Sequence, residues 1–68
     1  MAVTKVIEVI GSSAESSDEA VREALAAAQR SIRGITSIEI CKLTCVVEDG
    51  AIARWEALVK IFFPVEPR

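Results

Sequence analysis

Three segments of the sequence are patterned like β-strands and only one is patterned like a helix. Strands are predicted over residues 3–10, 37–48 and 51–65 because these segments are rich in β-branched residues and alternate in polarity. The second and third strands are separated by Asp49-Gly50, a pair typical of tight hairpin turns. Apolar residues occur on both faces of the strands, and a strand of this kind must pack against something on each side. One helix cannot cover both apolar faces of all three strands.

The single helix is predicted over residues 17–33. Ser16 and Glu19 have the spacing of a capping box at its start. Gly34 is expected to cap its end, with basic residues in the last turn. The apolar stripe that would face the sheet consists of Val21, Ala24, Leu25, Ala28 and Ile32.

The order β-α-β-β predicts an α+β fold in one domain spanning residues 1–68. A connecting helix leaves the first two strands parallel, so placing the third strand between them makes every neighbouring pair antiparallel. We therefore expect a three-stranded antiparallel sheet of order 1-3-2 wrapped on one helix. Pro64 and Pro67 are expected to end the third strand. The sheet face away from the helix would stay uncovered, and alternation assigns to it Val6, Ile10, Leu58 and Phe62.

Composition supports association of this face with other copies. The chain has 68 residues and is 51% hydrophobic, which exceeds what so small a core needs. Surplus apolar surface usually marks association, and assembly is one way in which a short chain gains stability. We therefore predict a homo-oligomer.

Several functional classes are excluded or disfavoured by the residue counts. The sequence has no histidine, which excludes Ser-His-Asp and Cys-His nucleophilic centres and zinc sites that use imidazole. A net charge of −2 without a basic cluster argues against nucleic acid. The short apolar stretches argue against a membrane span, and the absence of a signal-peptide pattern predicts a cytoplasmic location. A non-enzymatic role is expected.

Cys41 and Cys45 lie four residues apart in the second predicted strand. On one face of a regular strand they would be about 13 Å apart, too far for a disulfide between them. An inter-subunit disulfide or a soft-metal site is one interpretation, and two small apolar residues in a reducing compartment is the other.

The chain resembles the dodecin family along almost its whole length. The resemblance rests on Lys-Val-Ile-Glu-Val-Ile-Gly-Ser-Ser at residues 5–13, followed by the capped helix, Ile-Arg-Gly-Ile at 32–35, Val-Glu-Asp-Gly at 47–50 and the closing segment 59–66. It implies the fold described above and assembly into a hollow shell of twelve subunits.

The resemblance also implies positions for a flavin site. Flavin-binding dodecins stack isoalloxazine rings against a tryptophan at the start of the second strand and hydrogen-bond the ring edge with a glutamine in the third strand. The matching positions are Ser37 and Glu56. Ser37 offers no stacking surface, and an ionised Glu56 only accepts hydrogen bonds. Trp55 has the opposite parity to Glu56 and is expected in the core.

The chain also resembles the subset of dodecins that lack the stacking tryptophan and are described as calcium dodecins, which leaves a second hypothesis open. Glu15, Glu39 and Glu56 could gather near symmetry axes, where several copies would supply the oxygen ligands that calcium prefers. These glutamates are equally compatible with solvated surface carboxylates. The predicted function is therefore a homododecamer that binds and stores a small ligand, FMN or riboflavin by resemblance, and the alternative is an ion-binding or structural shell that does not bind flavin.

Overall fold

The protein is described by a computed structural model that covers residues 2–65, and the predicted order of elements is confirmed. The elements are β1 (Val3–Ser13), α1 (Ser17–Gln29), β2 (Ser37–Glu48) and β3 (Ala51–Val65). β3 is the central strand and pairs antiparallel with both others, in the order β1-β3-β2. The α+β fold class and the strand order predicted from the sequence are therefore correct.

The turn between β2 and β3 agrees with the sequence, whereas the role expected of Pro64 does not. Asp49 and Gly50 have φ angles of 52° and 78°, the left-handed conformation that a two-residue hairpin turn requires. Pro64 does not end β3 but pairs with Thr4 of β1. It is tolerated because the pairing of β2 with β3 reaches only Phe62, so β3 has one unpaired side at this point. Pro67 lies outside the described residues.

β1 is three residues longer than predicted. Gly11, Ser12 and Ser13 were expected to end the strand because these residue types favour turns. They instead continue the ladder opposite Ala57, Glu56 and Trp55 of β3. The pairing available along the 15-residue central strand outweighs the local preference.

Gly11 is buried directly beneath α1. A Cβ atom on Gly11 would lie 2.2 Å from the Ala20 carbonyl oxygen and 2.7 Å from the Ala24 backbone nitrogen. Both atoms belong to the helix backbone, so they cannot move aside as the end of a side chain could. The absence of a side chain at Gly11 therefore sets the distance between helix and sheet.

The helix begins where the sequence predicts and ends earlier. The Ser16 hydroxyl oxygen accepts from the Glu19 backbone N–H at 3.0 Å, which confirms the N-cap. The last helical residue is Gln29, not residue 33, and the basic residues expected in the last turn lie beyond it. The backbone N–H of Ser31 donates to the Ala28 oxygen at 3.2 Å, a tightened last turn that releases the chain toward β2. Gly34 keeps a positive φ of 74°, but in the connection and not at the helix end.

The core is built from small side chains. Its fully buried members are Ala20, Ala24 and Ala28 of α1 and Ala57, Val59 and Ile61 of β3. Ala20 was missing from the predicted stripe, and Val21 and Leu25, which were in it, are only partly buried. The helix thus packs through a row of alanines at i, i+4 and i+8, which allows a close approach to the strand beneath.

A short helix on long strands leaves most of β2 without cover. The 13 helical residues span about 20 Å, whereas the longest dimension of the molecule is 53 Å. α1 packs mainly on β1 and β3 and scarcely touches β2. Ile40 and Leu43 point to the helix side of the sheet and are each 53% exposed. The sequence predicted one uncovered face, but the structure has a second uncovered area beside the helix.

Replacing Gly11 with alanine should destabilise the protein, because the added methyl group would push the helix backbone off the sheet. We expect the free energy of unfolding to fall by about 1–3 kcal/mol. Thermal denaturation at one fixed protein concentration measures the change, with Ser12→Ala on the exposed neighbouring residue as the control. A Gly11→Ala protein as stable as the Ser12→Ala control would contradict the close approach.

Candidate functional site

The candidate site lies on the sheet face that points away from α1, which we call the open face. Odd-numbered residues of β3 pack against the helix, so its even-numbered residues from Arg54 to Phe62 point the other way. Strand pairing arranges the open face in rows across the sheet: Val6, Phe62 and Ser37; Glu8, Lys60 and Glu39; Ile10, Leu58 and Lys42; Ser12, Glu56 and Thr44.

The apolar residues predicted for this face are there, with unequal exposure. Ile10 is 65% exposed and Val6 43% exposed, because both lie on the edge strand. Leu58 and Phe62 are half-buried, since they lie on the central strand between neighbours on both sides. Nothing within the described residues 2–65 covers this apolar surface.

Ser37, the position matched to the stacking tryptophan, lies at the first residue of β2. It pairs with Phe62 and is exposed. The preceding residue, Thr36, ties the strand start to β3: its backbone N–H donates to the Phe62 carbonyl oxygen at 2.9 Å and its hydroxyl to the same oxygen at 3.2 Å. The backbone at Ser37 is therefore held firmly, and its small side chain leaves the apolar ring of Phe62 beside it accessible.

Glu56, the position matched to the glutamine, lies in a polar row between Ser12 and Thr44. One of its carboxylate oxygens accepts from the Arg54 Nε at 3.4 Å. Arg54 also donates from Nη1 to a carboxylate oxygen of Glu48 on β2, at 3.5 Å. A bulge at Ala53 brings Glu48 to the same face as Arg54, because Val46 pairs with Arg54 and Val47 pairs with Ile52. One guanidinium thus joins two carboxylates from neighbouring strands.

Ser37 and Glu56 are not brought together within one chain. Ser37 pairs with Phe62 of β3, and Phe62 is six residues from Glu56 on the same strand. This separation corresponds to about 20 Å. A compact ligand that contacts both positions must therefore lie between two chains. One chain supplies only half of such a site.

The acidic residues considered for calcium do not form a cluster. Glu39 lies opposite Lys60 on the open face, and Glu15 lies in the turn before α1, where its backbone N–H donates to the Ser13 hydroxyl. Among residues 2–65 there is no group of three or more acidic, histidine or cysteine side chains placed to hold a metal ion.

Trp55 and the cysteines lie elsewhere in the sheet. Trp55 is partly buried against the core on the helix side, as its parity predicted. Cys41 is the extra residue of a bulge between Ile40 and Lys42, which breaks the regular alternation assumed for the two cysteines. Cys45 lies opposite Trp55, and both thiols are exposed and unbridged.

An open groove of about 260 Å³ lies on the helix side, between the first turns of α1 and β2. Asp18, Val21, Arg22 and Ile40 line it. Neither Ser37 nor Glu56 contributes to it, so this groove is separate from the residues matched to the flavin site. The contact between Arg54 and Glu48 could not be predicted from the sequence, because it depends on the bulge that aligns β2 with β3.

Comparison with known proteins agrees with this architecture. The family model for dodecin matches residues 3–66. The chain belongs to the dodecin family. Among solved structures, the dodecin from Streptomyces coelicolor is 31% identical, with a TM-score of 0.93 over 98% of this chain and 96% of that one.

Two further structures share the dodecin fold at lower identity. The dodecin from Streptomyces davaonensis is 24% identical, with a TM-score of 0.91 over 97% of both chains. A protein from Thermus thermophilus is 22% identical, with a TM-score of 0.94 over the full length of both chains. No curated protein sequence matches the chain. Within the described residues of this dodecin, no helix is long and apolar enough to cross a membrane.

Placing a charge on the open face should disrupt association of this dodecin. Ile10→Asp puts a carboxylate into the most exposed apolar position of the face, which would be costly to bury without a partner. We expect a smaller species than the wild type in size-exclusion chromatography. Ala26→Asp, on the exposed side of the helix, is the matched control. An unchanged elution volume for Ile10→Asp would show that the open face is not an interface.

Proposed function

We propose that this dodecin is a non-enzymatic, hollow homododecamer that binds and stores a small aromatic ligand, a flavin, between subunits. The observation that carries the proposal is the open face: it is apolar at Ile10, Leu58 and Phe62 and ends in a polar row at Glu56. An apolar surface with a few convergent polar groups is typical of sites for small ligands. Its flatness explains why a second copy would be needed to enclose the ligand.

The chemistry of the face suits a planar ring with one polar edge. Ile10 and Leu58 form an apolar row on which such a ring can lie, and the next row offers the Glu56 carboxylate with the hydroxyls of Ser12 and Thr44 on either side. The carboxylate can accept from the imide N–H of an isoalloxazine ring, and hydroxyls can donate to carbonyl oxygens. Membership of the dodecin family supports flavin as the ligand that has these features.

Ser37 lowers the affinity expected for that ligand. Stacking of a planar ring on an aromatic side chain contributes roughly 1–3 kcal/mol, and Ser37 does not provide it. Binding of flavin by this chain should therefore be weaker than binding by a relative with tryptophan at this position. Riboflavin fluorescence quenching by the purified protein tests the proposal, and no quenching at micromolar concentrations would contradict it.

Restoring the two matched side chains should strengthen flavin binding. We expect the double variant Ser37→Trp, Glu56→Gln to bind riboflavin about 10-fold or more tightly than the wild type, because it gains an indole for stacking and an amide that both donates and accepts. Ser37→Ala with Glu56→Gln is the matched control without the ring. Equal affinity in the double variant and the wild type would mean that Ser37 does not face the ligand.

The absence of a tryptophan at position 37 also motivates the alternative of a calcium-binding or structural shell. Since the described part of one chain holds no metal cluster, such a site would need Glu15, Glu39 or Glu56 from several copies at a symmetry axis. A ligand that binds only the folded state raises its melting temperature. On the flavin account, melting curves with calcium and with chelator coincide, and a calcium-dependent rise that Glu39→Gln abolishes would favour the alternative.

A further inference from the structure

A single carboxylate at Glu56 provides only half of the hydrogen-bonding capacity that an amide would provide there. An amide accepts through its oxygen and donates through its nitrogen, whereas an ionised carboxylate only accepts. A cyclic imide, such as the polar edge of a flavin, presents an N–H between two carbonyl oxygens. Recognition of that edge needs an acceptor for the N–H and at least one donor for an oxygen.

Arg54 lies in the right place to supply a charged donor, in addition to the hydroxyls of Ser12 and Thr44. It is two residues from Glu56 on the same face of β3, and its Nε lies 3.4 Å from a Glu56 carboxylate oxygen. A guanidinium has five N–H donors, and the contacts to Glu56 and Glu48 use two of them. Donors therefore remain beside an acceptor, on the same exposed face.

Glu48 contacts this donor from the neighbouring strand. The Glu48 carboxylate, on the neighbouring strand, accepts from Nη1 of Arg54 at 3.5 Å, so the planar guanidinium is attached at two points. The Arg54 side chain is 43% exposed and that of Glu48 63% exposed, and ion pairs at such exposure contribute little to folding stability. These ion pairs restrict the Arg54 side chain before a ligand arrives. A ligand that binds to this preorganised donor therefore loses less free energy to side-chain ordering.

We propose that Arg54 and Glu56 act together as one recognition unit for a cyclic imide edge, Glu56 accepting from the imide N–H and Arg54 donating to the adjacent carbonyl oxygen. Glu48 is the positioning residue for Arg54. This inference rests on the proposed function, because it assigns the ligand's polar edge within that site. It also explains how a dodecin with glutamate in place of the amide retains both a hydrogen-bond acceptor and a hydrogen-bond donor at this position.

Riboflavin is the suitable probe because it carries the imide and no phosphate, so loss of a positive charge does not by itself weaken its binding. In a fluorescence titration, Arg54→Ala should bind riboflavin about 10-fold more weakly than the wild type, the ratio that corresponds to about 1.4 kcal/mol. The double variant Arg54→Ala, Glu56→Gln should recover to within about 3-fold of the wild type, because one amide then supplies donor and acceptor.

The control is Lys60→Ala, which removes one positive charge from the same strand and face, six residues away. It should leave the affinity unchanged. Wild-type affinity in Arg54→Ala, or a double variant as weak as Arg54→Ala, would overturn the inference while leaving the proposed function in place. Failure of the wild type itself to bind riboflavin would overturn the proposed function first, and the inference with it.

Discussion

The close approach of α1 to the sheet determines how much apolar surface one chain can bury. Gly11 has no side chain at the point where the helix backbone passes, and Ala20 and Ala24 present only methyl groups from above. The helix can therefore lie directly on β1 and β3. The resulting core is thin, so little apolar surface is buried within one chain and much remains outside it.

The apolar surface that is left outside the core determines what the chain can bind. The helix covers neither the open face nor the helix side of β2, and both carry exposed apolar residues. The residues matched to a flavin site, Ser37 and Glu56, are on the open face and too far apart to meet around one compact ligand within one chain. In the proposed function, assembly and ligand binding both follow from this incomplete burial, and membership of the dodecin family agrees with that proposal.

The sequence predicts the elements and their order because those depend on local patterns: alternation, the Ser16 cap and the Asp49-Gly50 turn. It fails where tertiary pairing prevails over local preference. β1 continues through Gly11 because β3 offers partners there, and α1 ends at Gln29 although apolar periodicity continues to Ile32. The contact between Arg54 and Glu48 could not be predicted, since it requires the bulge at Ala53 that aligns the two strands.

We infer that one chain is an incomplete unit whose uncovered faces are closed by further copies. The most direct test is the mass of the purified wild-type protein in solution, determined by light scattering over a range of protein concentrations. If further copies close these faces in a shell of twelve, one species with a mass close to twelve chains is expected, and it persists on dilution. A stable species with the mass of one 68-residue chain would contradict it.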